Sequence, residues 1–190
     1  EMLRSLVGSE MCIRDRLCLS ERMQPGQTVI VEAPDTMSLT LNSVRRSQGA
    51  PAYQGILEVT REKQGFRVIN QVDLESYLKG VVPSEMPADA PAEALCAQAV
   101  CARTYAVRQI REERMKEWGA DVDDTVSCQV YNNISEQAAS SQAVDATRGM
   151  IILSDGEPIE AYFFRLPGAG PIQMKYGTRK EVHLISGVLQ

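Results

Sequence analysis

The chain has 190 residues, 44% hydrophobic and 24% charged, with 25 acidic against 20 basic side chains and a formal charge of −5. That is one domain of ordinary size, or a domain plus a further segment, in the composition range of a globular protein. The acidic balance argues against nucleic acid, whose binding rests on neutralising phosphates, and no apolar run reaches the length of a membrane span.

The charge is unevenly spread. Residues 1–16 carry three basic and three acidic side chains, residues 17–164 a net −8, and residues 165–190 a net +3. The five cysteines (Cys12, Cys18, Cys96, Cys101 and Cys128) are odd in number and irregularly spaced, which is not a disulfide framework. Cys96 and Cys101 would lie about 140° apart around one helix, so they read as small core residues rather than a pair. His183 is the single histidine, which excludes a histidine-rich metal site and an ordinary Ser-His-Asp triad in the body.

In chain order, residues 1–16 show no clear period. They resemble a string that recurs at the ends of unrelated proteins and reads as translated sequencing adapter, and they are expected to be non-native; the alternative is a native frayed terminus. Residues 17–50 form a β-rich region. Thr28-Val29-Ile30-Val31 follows the turn signal Pro25-Gly26, and Ser38-Leu39-Thr40-Leu41 alternates as a half-buried strand does. Tyr53 to Val59 and Phe66 to Asn70 predict a hairpin joined by charged residues around Gly65. Leu74 to Leu78 predicts a short helix running into a turn, Val81-Val82-Pro83-Ser84-Glu85-Met86-Pro87.

That turn sets one carboxylate, Glu85, among apolar residues and two prolines. Poor solvation disfavours the charged form of a carboxyl, which is how a protein keeps an acid protonated and ready to donate. The competing reading is a glutamate that caps or faces solvent at a helix entrance, as most glutamates do. The main helix is predicted from about Pro91 to Trp118, with Pro91 at its first position and Gly119 as its stop. Leu95, Ala99, Ala102, Ala106 and Ile110 form its apolar stripe, bordered by Gln98 and Arg103. A strand is expected at Val126–Tyr131 and a helix at Glu136–Thr147. A last hairpin pairs Met150–Leu153 with Ile159–Phe164 around Asp155-Gly156.

Laid in order, these segments resemble the SpoIID/LytB family of cell-wall proteins. The resemblance is carried by Tyr53 to Val59, Val68 to Pro87, Glu93 to Ala106, Gln129-Val130-Tyr131 and Ala143 to Gly149. It implies a peptidoglycan lytic transglycosylase. Such an enzyme cuts glycan strands between N-acetylmuramic acid and N-acetylglucosamine, acts best on strands stripped of stem peptides, and leaves 1,6-anhydro ends. It also implies that Glu85 is the catalytic acid. One carboxyl then protonates the leaving oxygen and later accepts the proton of the sugar's own 6-hydroxyl, unlike the paired carboxylates of most glycosidases.

Arg103 matches the family's helix arginine. It either holds a lactyl carboxylate or N-acetyl oxygen of the substrate or makes a structural salt bridge. Gln98 either binds sugar hydroxyls or satisfies backbone. Tyr131 is a candidate to stack on a sugar face; Tyr105 reads rather as core. Asp73 and Glu75 read as helix starters rather than chemistry.

Two departures from the family pattern matter. The His/Cys cluster that binds zinc in some members is replaced by Asp121 to Cys128, with one thiol and no histidine. No zinc and no cofactor are expected, while weak hard-cation binding by the aspartates stays open. After Phe164 the family continues Ser-Thr-Ser and later Glu-Val-Trp, and this chain does not. Read one base earlier, the codons of Arg165-Leu166-Pro167 can encode Ser-Thr-Ser. Met174 before Lys175 then forces Glu, Tyr176 becomes Ile or Val, and Gly177 becomes Trp or Arg. A single-base indel near Phe164 is therefore expected, and with it His183 loses functional meaning.

The expected organisation is a non-native segment 1–16, an N-terminal β-rich region 17–50, an incomplete SpoIID/LytB-like catalytic domain 51–164 and a frameshifted tail 165–190. The expected fold is α+β: short antiparallel hairpins packed around one long helix, with an active cleft at the turn before it. The resemblance implies peptidoglycan glycan strands as substrate, other wall hydrolases such as an amidase as partners, and an extracytoplasmic site. No signal or anchor is read in these residues. The rival functions are a non-catalytic wall-binding or amidase-enhancing module and an inactive truncated fragment.

Overall fold

The computed structural model describes residues 23–33, 37–44, 50–124, 128–131 and 137–162, and the backbone of residues 174–176 and 181–189. The expectations for segment 1–16, for Cys12 and Cys18, and for the proposed break at Phe164 lie outside the described residues, as does the His183 side chain. The strands are β1 (Thr28–Glu32), β2 (Leu39–Thr40), β3 (Ala52–Tyr53), β4 (Ile56–Glu62), β5 (Gly65–Asp73), β6 (Val122–Asp123), β7 (Met150–Ser154), β8 (Glu157–Pro158), β9 (Met174–Tyr176) and β10 (Glu181–Leu189). The helices are α1 (Leu74–Glu85), α2 (Ala92–Glu112) and α3 (Ala138–Ala146), with a single 3₁₀ turn at Lys116–Trp118. The fold is α+β.

The larger sheet runs β1-β4-β5-β10-β6, antiparallel except for the β10–β6 pair. Two small antiparallel sheets, β2-β3 and β8-β7-β9, complete the set. Pleating explains which side chains face the helices. Val59 lies opposite Val68 and Leu57 opposite Asn70, so Leu57, Val59, Val68 and Val72 share the face that joins the main core. Ile69 points the other way, onto Ala120 and the half-buried Met115. The turn of β7 and β8 is Asp155-Gly156, both left-handed (φ 51° and 86°), as a tight hairpin requires.

The second arm of the last hairpin is Glu157–Pro158 rather than Ile159–Phe164, whose described residues 159–162 form no strand, and three further elements differ from the sequence expectation. First, α1 does not stop near Leu78. It starts at Asp73, whose carboxylate accepts the Glu75 and Ser76 amides at 3.0 and 3.1 Å, and it continues through Pro83 to Glu85. Pro83 cannot donate to the Lys79 carbonyl, so the helix loses one hydrogen bond two residues before its end. Second, α2 ends at Glu112, with Glu113 left-handed (φ 51°), rather than at Trp118. Its buried face ends at Ile110, and the charged residues that follow have no core to pack on. Third, residues 128–131 form no strand, and β6 lies earlier, at Val122–Asp123.

Helix α2 is central rather than one-sided. It packs on α1, α3 and β7, and polar residues beside the apolar stripe (Gln98, Arg103, Thr104 and Gln109) are buried with it. Thr104 shows how such a face is satisfied: its hydroxyl donates to the Val100 carbonyl at 2.6 Å and accepts the Ile152 amide of β7 at 2.9 Å.

Candidate active site

Glu85 is the last residue of α1. Val81 and Val82, one turn earlier, are fully buried in the main core, and Met86 packs partly against it. The Met86 amide closes the helix on the Val82 carbonyl at 2.9 Å, and the Ser84 hydroxyl donates to the Gly80 carbonyl at 2.7 Å. The apolar residues around Glu85 thus anchor its backbone, while its own side chain is half-buried. The Val130 amide donates to Glu85 Oε1 at 2.9 Å, 45 residues away in sequence. Among the described residues no other group hydrogen-bonds this carboxyl.

The segment carrying that amide is held on both sides. The Gln129 side chain is buried; its Nε2 donates to the Ala102 carbonyl of α2 at 3.2 Å, and its Oε1 accepts the Tyr77 hydroxyl of α1 at 3.1 Å. Tyr131 stacks on Tyr77, with ring centroids 5.4 Å apart and planes 15° apart. The Tyr131 ring also lies against Gly80, where any Cβ would overlap it. Tyr131 is buried, so the ring proposed to meet a sugar is here part of the packing behind Glu85.

Arg103 sits elsewhere, 1% exposed. Its Nε and Nη2 donate to the two carboxylate oxygens of Glu75 at 2.9 and 2.7 Å. Nη1 donates to the Met150 carbonyl at 3.2 Å and the Thr147 hydroxyl at 3.5 Å, and Nη2 also donates to the Val144 carbonyl at 3.1 Å. All five guanidinium hydrogens therefore have acceptors within the fold. Arg103 joins α2 to α1, α3 and β7, and Glu75, read as a helix starter, is its counter-charge. Gln98 is also buried on α2, and its Nε2 has no hydrogen-bond partner among the described residues. No hydrogen bond links Gln98 or Arg103 to Glu85 among those residues. Of the candidates, Tyr131 is tied to Glu85 only through the adjacent Val130 amide, and Gln98 and Arg103 share no hydrogen bond with either among the described residues.

Sequence reasoning missed Gln129, Val130 and Tyr77. The only signal was that Gln129-Val130-Tyr131 did not need to be a strand: a buried glutamine between apolar neighbours demands partners, and helix α2 and Tyr77 supply them. Tyr105, read as core, is buried, with the exposed Tyr162 ring tilted against it at 6.5 Å. Beside it, burial pushes the Cys128 thiol up. Among the described residues no three His, Cys, Asp or Glu side chains gather as metal ligands. No helix among them is long and apolar enough to cross a membrane.

Residues 62–153 match the SpoIID family, described as stage II sporulation protein. The chain is 40% identical over 141 residues to an uncharacterized protein of Brachyspira hyodysenteriae, covering 74% of this chain and 36% of that one. It is 39% identical over 117 residues to the stage II sporulation protein D of Bacillus subtilis, covering 52% of this chain and 34% of that one. It is also 40% identical over 86 residues to the amidase enhancer of Bacillus subtilis, covering 45% and 11%. The chain thus spans little more than a third of the length of the first two relatives. No solved structure matches it. The chain carries a SpoIID-family domain. The family and the names of these relatives support a cell-wall-related role.

Proposed function

We propose that this domain is a peptidoglycan lytic transglycosylase with Glu85 as its single general acid and base. The observation that carries the reading is the half-buried Glu85 carboxyl, held by the Val130 amide at one oxygen at the end of a helix whose neighbouring residues are locked in the core. In the reaction, protonated Glu85 gives its proton to the glycosidic oxygen linking N-acetylmuramic acid to N-acetylglucosamine. The C1–O bond breaks, the muramic 6-hydroxyl oxygen bonds to C1, and its proton returns to Glu85. Atoms and charge balance without water, and a 1,6-anhydro end results. Within this reading Arg103 serves the site by holding α1, Tyr131 backs the segment that bonds Glu85, and Gln98, whose Nε2 has no partner among the described residues, is the side chain left to meet a sugar hydroxyl. The glycan strand is the substrate, the site is extracytoplasmic, and an amidase is the partner this reading assigns.

Glu85→Gln tests the assignment on glycan stripped of stem peptides, with anhydro products read by mass spectrometry. Turnover is expected to fall on the order of 10²–10⁴-fold, the usual contribution of a general acid, with glycan binding retained. The match to the amidase enhancer favours one rival, a wall-binding module that stimulates another hydrolase. If the wild-type protein binds glycan but never releases an anhydro product, that rival replaces the enzyme reading.

A further inference from the structure

We propose that Gln129 is the positioning residue of the Glu85 carboxyl, acting through the Val130 amide; this rests on the reading of Glu85 as the acid. The Glu85 carboxyl is held by a backbone donor from a segment without secondary structure of its own. Such a donor is only as fixed as the segment that carries it. Gln129 fixes it from the adjacent position. It is 2% exposed, and its amide spans two different helices, donating to Ala102 of α2 and accepting from Tyr77 of α1.

The geometry makes a closed loop of contacts. Glu85 and Tyr77 are both on α1, two turns apart. Gln129 reaches back to Tyr77 while its neighbour Val130 reaches Glu85, so the segment runs alongside the helix with two rungs. The bond to α2 braces it from the far side, and Tyr131, stacked on Tyr77 and seated on Gly80, closes its other end. Apolar packing alone would leave the strand of chain free to slide along α1. The glutamine's directional bonds set its register, because an amide buried at this depth loses free energy in any register that leaves it unpaired. Gln129 touches no reacting atom in this arrangement; it sets where the acid's oxygen lies.

The test compares wild type, Tyr77→Phe, Gln129→Met and the double variant. The double variant removes both side-chain partners together, so neither is left buried and unpaired. Two readouts are taken: kcat and KM for release of anhydro product, and hydrogen exchange at the Val130 amide. The Ile152 amide, bonded to Thr104, serves as a reference for global unfolding. Expected is a fall in kcat of about 10- to 100-fold at unchanged KM in Gln129→Met and the double variant, the scale of a misplaced catalytic group. Val130 exchange should accelerate while Ile152 keeps its rate, and Tyr77→Phe should lie between. If Val130 keeps wild-type protection in the double variant, or is released with no loss of kcat, the assignment is overturned. If wild type gives no anhydro product at all, the function proposed above fails. The exchange data then decide the positioning role alone: release of Val130 with Ile152 protected upholds it, and unchanged protection ends it.

Discussion

Arg103 and Glu75 meet side-on through two parallel hydrogen bonds, 2.9 and 2.7 Å long, with the arginine fully buried and the carboxylate nearly so. This is the bidentate geometry in which guanidinium and carboxylate bind best. It ties the first turn of α1 to the middle of α2, and α1 ends at Glu85. Removing one partner leaves a buried charge alone, at a cost of about 3–5 kcal/mol. Arg103→Met should therefore lower the urea midpoint sharply, and the double change Arg103→Met/Glu75→Leu should recover much of the loss. Urea titrations followed by circular dichroism measure both. An Arg103→Met protein as stable as wild type but weakened in glycan binding would instead assign the arginine to the substrate.

A second expectation concerns Gly80. The Tyr131 ring occupies the space a side chain there would need. Gly80→Ala gains about 1 kcal/mol of helix propensity but must push the ring away, and overpacking of this kind costs about 1–3 kcal/mol. Net destabilisation is expected, together with faster exchange at Val130, because Tyr131 closes that segment. Pairing Gly80→Ala with Tyr131→Leu should restore stability. A Gly80→Ala protein more stable than wild type would mean that the ring yields without cost.

Most of the framework was legible in local pattern. The Pro25-Gly26 turn signal marked β1, alternation marked β2, the hairpin pattern around Gly65 marked β4 and β5, the Asp155-Gly156 pair marked a turn, and Leu95 to Ile110 marked the central helix. Illegible were the features that depend on partners distant in sequence. The two prolines around Glu85 read as a turn after a helix ending near Leu78, whereas α1 runs through Pro83 to Glu85. Gln129-Val130-Tyr131 had the apolar rhythm of a strand, yet its polar groups are satisfied by Ala102, Tyr77 and Glu85. The pairing of Arg103 with Glu75 spans 28 residues and two helices, and no spacing rule reaches that far. Glu85 stood out as a candidate because its sequence neighbours are apolar. That those neighbours anchor its backbone behind the carboxyl emerged only from the packing.

The tail makes a third prediction. The charge of residues 165–190 differs in sign from that of the body, and the neighbouring reading frame can encode the continuation that the family resemblance implies. We propose that the gene carries a one-base insertion or deletion near Phe164. The backbone of residues 181–189 lies between β5 and β6 in the larger sheet, so restoring the frame would change the sequence of a central strand. Genomic sequencing across this region should give Ser-Thr-Ser after the aromatic pair and Glu at the Lys175 position. An intact frame through Lys175 disproves it.

The last prediction follows from buried groups that resist ionisation. Burial, with Cys128, Tyr131, Tyr105 and Asp123 nearby, holds the Tyr77 phenol well above its usual range. Burial likewise raises Tyr105, where Cys128 and Tyr162 add to the effect and Arg114 opposes it, and it raises the Cys101 and Cys128 thiols. In an unfolded chain thiols ionise near pH ~8.5 and phenols near pH ~10. Below those values both states hold the proton and stability does not depend on these groups. Above them the unfolded chain loses protons that the folded protein keeps, so the unfolded state is favoured and stability falls as pH rises. Urea midpoints should thus be level up to pH ~8 and decline through pH ~10.5. Tyr105→Phe should flatten the decline, since one such phenol is gone. A midpoint that stays level over this interval would mean that these side chains ionise as readily in the folded protein as in water.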